Sequence, residues 1–272
     1  MKKKIVKWVS VILLFLISII SLYPFYTMVI MSTYKTEDIF KGIPFLPGSY
    51  FLENLSVVME SSFIRPYINS LFVSAFAVIG CVVVSSMAGY ALTVYKFKYR
   101  NAMLKFVLMT MMVPTQIGVI GYMIEMRSMH LNRTIWPMIL IWLASGFGVY
   151  WMTQFTEGAL PIELVECARI DGCNELKIYA KIMLPCIKPG IVTLALLIFL
   201  WSWNSYMTPL VLATNKDLYT IPVFIQTLSN AYQTNYGAQL AGLVLATVPL
   251  VVLFVIGSKN FIKGLTAGAV KG

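Results

Sequence analysis

The chain has 272 residues, 59% of them hydrophobic and 12% charged, with a mean hydropathy of +0.80; a soluble domain carries about 25% charged residues, so this composition calls for lipid as solvent. The formal net charge of +10 does not mark a nucleic-acid binder, because the basic residues are spread thinly between apolar runs and form no patch beside aromatics. The four cysteines, Cys81, Cys167, Cys173 and Cys186, match no zinc or redox spacing and read as small apolar packing residues.

Taken in chain order, the first 30 residues (MKKKIVKWVSVILLFLISIISLYPFYTMVI) begin as a signal peptide does. Their apolar run outlasts an h-region and meets no small-residue cleavage site, so a retained first span is expected over 6–31. A polar stretch, 34–67, leads to a second span at 68–94, where Ser85 and Gly89 suit close contact with another helix. The third span, 104–124, contains Pro114. That proline is expected to kink it and free a carbonyl, either for packing and capture by Thr110 or Gln116, which is the weightier reading, or to line a pathway. A short loop bearing Arg127, Arg133 and the single histidine, His130, has no triad or metal cluster and reads as solvated. The fourth span is expected over 136–152, the fifth over 191–212 and the sixth over 240–256, with polar segments at 153–190 and 214–236 between them. Each meets the need for roughly 20 mostly apolar residues. The expected fold is an all-α polytopic membrane protein with six transmembrane helices, a single domain over 1–272 with no repeat, low-complexity tract or linker.

Lys and Arg set the expected orientation, since cytoplasmic segments keep the positive charge. Fifteen of the 21 lie in the N-terminal segment, in 96–105, in 153–190 and in the C-terminal tail, whereas the remaining six, Lys35, Lys41, Arg65, Arg127, Arg133 and Lys216, are matched by six acids. Both termini are therefore expected in the cytoplasm, with the chain in a cell membrane. The centres of the spans hold no Asp, Glu, Lys, Arg or His. Ion-coupled transport usually relies on such groups, and secondary carriers show broken repeats about a midplane site, so the energy is expected to come from elsewhere.

The segment 159–185 (ALPIELVECARIDGCNELKIYAKIMLP) is too polar to span and reads as two short helices. Pro161 suits an opening turn, and Leu160, Leu164, Cys167, Ala168 and Asp171 fall near one face. Gly172 can take positive φ at the helix end, and Asn174 is a good N-cap for a second helix over 175–183 with a stripe of Leu176, Tyr179, Ala180 and Met183. Pro185 and Pro189 are expected to end it. A helix that merely rests on the protein's own spans or in the lipid interface is the plainer alternative.

Glu166-Cys167-Ala168, three residues, Gly172, nine residues and Ile182-Met183-Leu184-Pro185 resemble the EAA motif of ABC-importer permeases; every spacing agrees and only Cys167 departs, from the usual Ala. Ala88-Gly89-Tyr90-Ala91-Leu92, Met112-Val113-Pro114, Trp203-Asn204 and Pro209-Leu210 extend the resemblance to the carbohydrate-uptake branch and its MalG-type subunit. The resemblance implies a MetI-like permease fold with cytoplasmic coupling helices. Glu166 would pair with a basic group of an ATPase subunit, Cys167 and Ala168 would permit close approach, Gly172 would set the turn, and Ile182, Leu184 and Pro185 would anchor the segment to the next span. It also implies a MalF-type permease partner, two ATPase subunits carrying ATP and Mg, and an extracytoplasmic sugar-binding protein that touches the excursion with Asp217, Tyr219 and Pro222.

The function so implied is half of a translocation path for a sugar or oligosaccharide, with another polar solute as the alternative and a secondary carrier a more distant one. The chain has no phosphate-cradling Gly-rich loop and no hydrolase or metallopeptidase signature, so it is not expected to be an enzyme or to bind a cofactor. Trp201, Trp203 and Asn204, within the polar-aromatic run Trp201-Ser202-Trp203-Asn204-Ser205-Tyr206, are candidates for the path, since aromatic faces and amides match sugars. An interfacial aromatic belt with Asn204 bonded to a neighbouring helix stands equally beside that reading.

Overall fold

The computed structural model describes residues 2–228 and 235–269. In chain order its helices are α1 (Lys2–Met31), α2 (Thr36–Ile39), α3 (Phe51–Glu60), α4 (Ile64–Val94), α5 (Arg100–Met111), α6 (Thr115–Ser128), α7 (Trp136–Leu143), α8 (Gly146–Ala159), α9 (Ile162–Ile170), α10 (Glu175–Ile178), α11 (Leu184–Cys186), α12 (Lys188–Trp203), α13 (Met207–Leu212), α14 (Ile221–Thr227) and α15 (Tyr236–Ala269). A π-helical turn, Tyr179–Met183, joins α10 to α11. No strand occurs among the described residues.

Four stretches, Val6–Met31, Ile64–Val94, Trp136–Ala159 and Tyr236–Ser258, are long and apolar enough to cross a membrane. Two bent pairs, α5 with α6 at 98° and Glu175–Cys186 with α12 at 80°, bring the number to six if each pair is one span. The third span is thus broken, not merely kinked. Pro114 cannot donate a backbone hydrogen bond, and it sits extended at φ −61° and ψ 122° ahead of α6. The fifth is shorter than its apolar run suggests, because α12 stops at Trp203 and the chain starts again at Met207.

The chain divides into two compact units. One comprises the residues up to Ile64 together with Phe224–Val248. Here α1 exposes apolar side chains all round, Trp8, Leu14, Phe15 and Ile20 each being more than half exposed, a surface that only lipid or another membrane subunit can cover. Buried Asn54 of α3 donates to the carbonyls of Ser32 and Tyr34, both at 2.9 Å, and so satisfies the chain as it leaves α1.

The other unit comprises Arg65–Val223 together with the residues from Pro249 on. Its core runs from Ala77, Cys81 and Tyr90 of α4 through Met152 of α8 to Val165, Ala168, Ile178, Met183 and Ile187, and into Leu194 and Ile198 of α12. Small residues let α4 and α8 meet nearly backbone to backbone. A Cβ on Gly148 would lie 2.4 Å from Ser85 Oγ, and one on Gly89 would lie 2.9 Å from the Met152 carbonyl carbon. Ser85 and Gly89 are therefore packing residues, as expected of such pairs in membranes. Trp151 of α8 donates its indole N–H to the Gly190 carbonyl at 3.0 Å and ties in the start of α12. The short excursion after α6 turns on His130, at φ 59°.

Candidate functional site

Two features stand out in the second unit: the segment 159–185 and a cavity among the helix breaks. The segment folds largely by local rules. Gly172 has φ +75°; its N–H donates to Arg169 O at 3.0 Å, and the Cys173 N–H donates to Ala168 O at 2.9 Å, the paired bonds of a Schellman C-cap. Asn174 Oδ1 accepts from the Lys177 N–H at 2.8 Å and starts the next helix.

That helix does not end at Pro185. The proline lacks an N–H, and its ring would meet the carbonyl four residues back. The π turn answers this, with Leu184 N–H donating to Tyr179 O, five residues back; the helix then continues to Cys186 and breaks at Ile187. The wider turn also resets the buried face: Ile178 and Met183, five residues apart, are both fully buried. Leu176 and Ala180, assigned to the apolar stripe from the sequence, are exposed. Around α9, Leu160 just ahead of it and Val165 and Ala168 within it are buried, while Leu164, Cys167 and the C-cap Asp171 are exposed. A nine-residue helix carries two apolar stripes, and its period alone does not say which one meets the core.

The motif residues therefore divide between two sides. Ala168, Ile182 and Leu184 pack into or against the core. Glu166, Cys167, Gly172 and Pro185 are exposed, and Glu166 has no ion pair among the described residues. Beside them stand the exposed apolar side chains Leu164, Ile170 and Leu176, of which Ile170 is 85% exposed.

The turn is also bonded to the end of α4. Arg169 Nε donates to Glu175 Oε1 at 2.8 Å and the Tyr90 hydroxyl donates to Glu175 Oε2 at 2.7 Å. The Arg169 guanidinium lies 5.5 Å from the centre of the Tyr95 ring, within cation–π range. One turn along, the hydroxyls of Tyr179 and Ser86 are 2.7 Å apart. Arg169 foremost, then Tyr90, hold the Glu175 carboxyl down at about 2. Reading the sequence missed this cluster; its signal there is slight, an Arg and a Glu flanking a turn and tyrosines in a distant span.

The cavity, about 620 Å³, opens where three breaks converge: those before Pro114, between α7 and α8, and between α12 and α13. Trp201, Asn204, Tyr206, Phe147, Gln116 and Ser145 are among its lining. Phe147 and Trp201 meet edge to face at 5.0 Å. Asn204 Nδ2 donates to Leu200 O of its own helix at 2.8 Å. Trp203 is on another face, 2% exposed, stacked on Phe199 at 5.5 Å and edge-on to Tyr67 at 5.7 Å. Of the three path candidates, Trp201 and Asn204 come together and Trp203 packs behind them. Gln116, Ser145 and Phe147 join through breaks that spacing within one span does not reveal.

A family model, the binding-protein-dependent transport system inner membrane component, matches residues 81–266, a range that takes in the whole of both features. The chain belongs to this family. It is a permease subunit of an ABC importer, a multi-pass inner-membrane protein, and in such systems ATP is hydrolysed by a separate subunit. The permease is 35% identical to the arabinooligosaccharides transport system permease protein AraQ of Halalkalibacterium halodurans over 280 residues, 100% of each chain. Its fold matches that of a bacterial ABC transporter involved in the import of the acidic polysaccharide alginate (TM-score 0.80, 23% identity, 96% of this chain and 98% of that one). It also matches the MetNI methionine ABC transporter (TM-score 0.57, 18% identity, 74% and 95%), so the permease has the MetI-like fold.

Proposed function

We propose that this permease forms half of the membrane path of an oligosaccharide importer, and that 159–185 is the segment through which an ATPase subunit drives it. The observation that carries the reading is the two-sided build of that segment: Ala168, Ile182 and Leu184 rest on the protein's own core, while Glu166, Ile170 and Leu176 stand free beside Cys167. An exposed apolar knob with a charge at its rim suits a partner's groove, whereas an isolated surface helix would turn its apolar residues inward.

In this reading Gly172 sets the angle of the turn and Pro185, through the π turn, sets the angle at which the segment enters α12. Both termini are cytoplasmic, as the distribution of Lys and Arg supports. The permease is one functional domain paired with a homologous MalF-type permease, two ATPase subunits and an extracytoplasmic binding protein that delivers the sugar. The relative named for arabinooligosaccharides, which matches along its full length, supports that solute class. Trp201 and Asn204 offer a passing sugar an aromatic face and an amide, with Trp203 backing them from the core.

The test is reconstitution of the permease in lipid vesicles with its partner permease, ATPase and binding protein. Arabino-oligosaccharide loaded on the binding protein is expected to stimulate ATP hydrolysis and to accumulate in the vesicles. Glu166→Lys is expected to lower that coupled flux by about tenfold or more, as loss of a charged contact at an interface does. A permease that purifies alone and moves solute without ATP sinks the proposal.

A further inference from the structure

We infer that Tyr90, Arg169 and Glu175 form a latch that carries movement of the 159–185 turn into α4. The inference rests on the coupling role proposed above and adds the route by which that role reaches the membrane. The turn is held from both sides of Gly172, with Arg169 ahead of it and Glu175 behind it. These two bond to each other at 2.8 Å, and one carboxylate oxygen remains to accept from Tyr90 at 2.7 Å.

Tyr90 is 5% exposed and belongs to the same core as Val165 and Ile178, so its hydroxyl is fixed in place by packing. Its ring meets Tyr95 edge to face at 6.0 Å and Tyr179 at 5.8 Å. The Tyr179 hydroxyl, 2.7 Å from that of Ser86, repeats the attachment one turn along α4. Tyr90 thus anchors the latch in the core while Arg169 and Glu175 hold it at the surface, and the exposed side chains Glu166, Ile170 and Leu176 form the turn's outward side.

Apolar packing alone resists compression but yields to tangential sliding. A charge-assisted hydrogen bond fixes direction as well as distance. A turn pushed or pulled at its outward side therefore draws α4 with it through Glu175. Close packing of α4 on α8 at Gly148 and Gly89 passes the displacement onward. Tyr90, Arg169 and Glu175 are positioning residues; none of them needs to touch the solute.

The test uses the complete importer in proteoliposomes, with solute moved per ATP hydrolysed as the readout. Tyr90→Phe removes one hydroxyl, and Glu175→Gln keeps the side chain's shape. Each is expected to assemble as wild type does and to lower the transport-to-hydrolysis ratio by about tenfold or more, the scale of one hydrogen bond to a charged group. A merely structural contact would reduce transport and hydrolysis together, in step with the amount of assembled complex. An unchanged ratio in assembled Tyr90→Phe and Glu175→Gln overturns the inference, and so does failure of both to assemble. If Glu166→Lys uncouples and these two do not, the latch alone fails; if Glu166→Lys also leaves coupling intact, the coupling reading fails with it.

Discussion

At the scale of single residues, the hydrogen bonds that hold the proposed coupling turn depend on Glu175 remaining ionised. Its folded-state value of about 2 lies below the ordinary 4.5, chiefly through Arg169 and then Tyr90. A carboxylate held low stabilises the fold fully above its unfolded value and loses that contribution as pH falls toward the folded one. The difference in thermal unfolding between the wild-type permease and Glu175→Gln is therefore expected to stay constant from neutral pH down to about 5, and to shrink below about 4.5. A difference that closes between about pH 7 and 6 would assign the titration to another group. Gly172 and Asn174 were legible in the sequence because a C-cap and an N-cap are made within a few residues. Glu175 was not, because its partner Tyr90 is 85 residues away and nothing local announces the pairing.

Between elements, the decisive contact is that of α4 with α8. A methyl group at Gly148 would stand 2.4 Å from Ser85 Oγ and 3.0 Å from Cys81 Sγ, too close for either helix to accept without moving apart. Gly148→Ala is expected to cost about 1–3 kcal/mol in unfolding of the detergent-purified permease, the range for overpacking. Ser85→Ala in the same chain removes the nearest atom and is expected to return part of that loss, the remainder reflecting Cys81. No recovery in the double variant would place the strain elsewhere. Apolar length pointed in the sequence to the four helices long enough to span and to the two bent pairs, but not to the breaks. The gaps after Met111, Leu143 and Trp203 depend on how segments meet around the cavity; Pro114 marks the first locally, and Ser145, which caps α8 by accepting from the Gly148 N–H, marks the second. The same limit explains the stripe misassigned in 175–183: a π turn shifts the helical phase, and a period of 3.6 cannot register it.

For the molecule as a whole, the proposed orientation and the proposed coupling role place the same residue on the same side, and one reagent reads both. All four cysteines are free; Cys167 is exposed, Cys173 and Cys186 are half-buried and Cys81 is buried. Thiol reactivity follows exposure, so a membrane-impermeant maleimide should modify Cys167 first. In a variant that retains Cys167 as its single cysteine, inverted vesicles stripped of the ATPase subunit are expected to label quickly, and right-side-out vesicles are expected not to label. Adding the ATPase subunit back to the inverted vesicles should slow the reaction markedly, because the coupling surface around Glu166, Ile170 and Leu176 is then covered. Labelling from the outer side would reverse the orientation drawn from the Lys and Arg distribution. Fast labelling from the inner side that the ATPase subunit leaves untouched would keep the orientation and remove the docking surface, since a side chain within that surface cannot stay open to solvent while the surface is occupied.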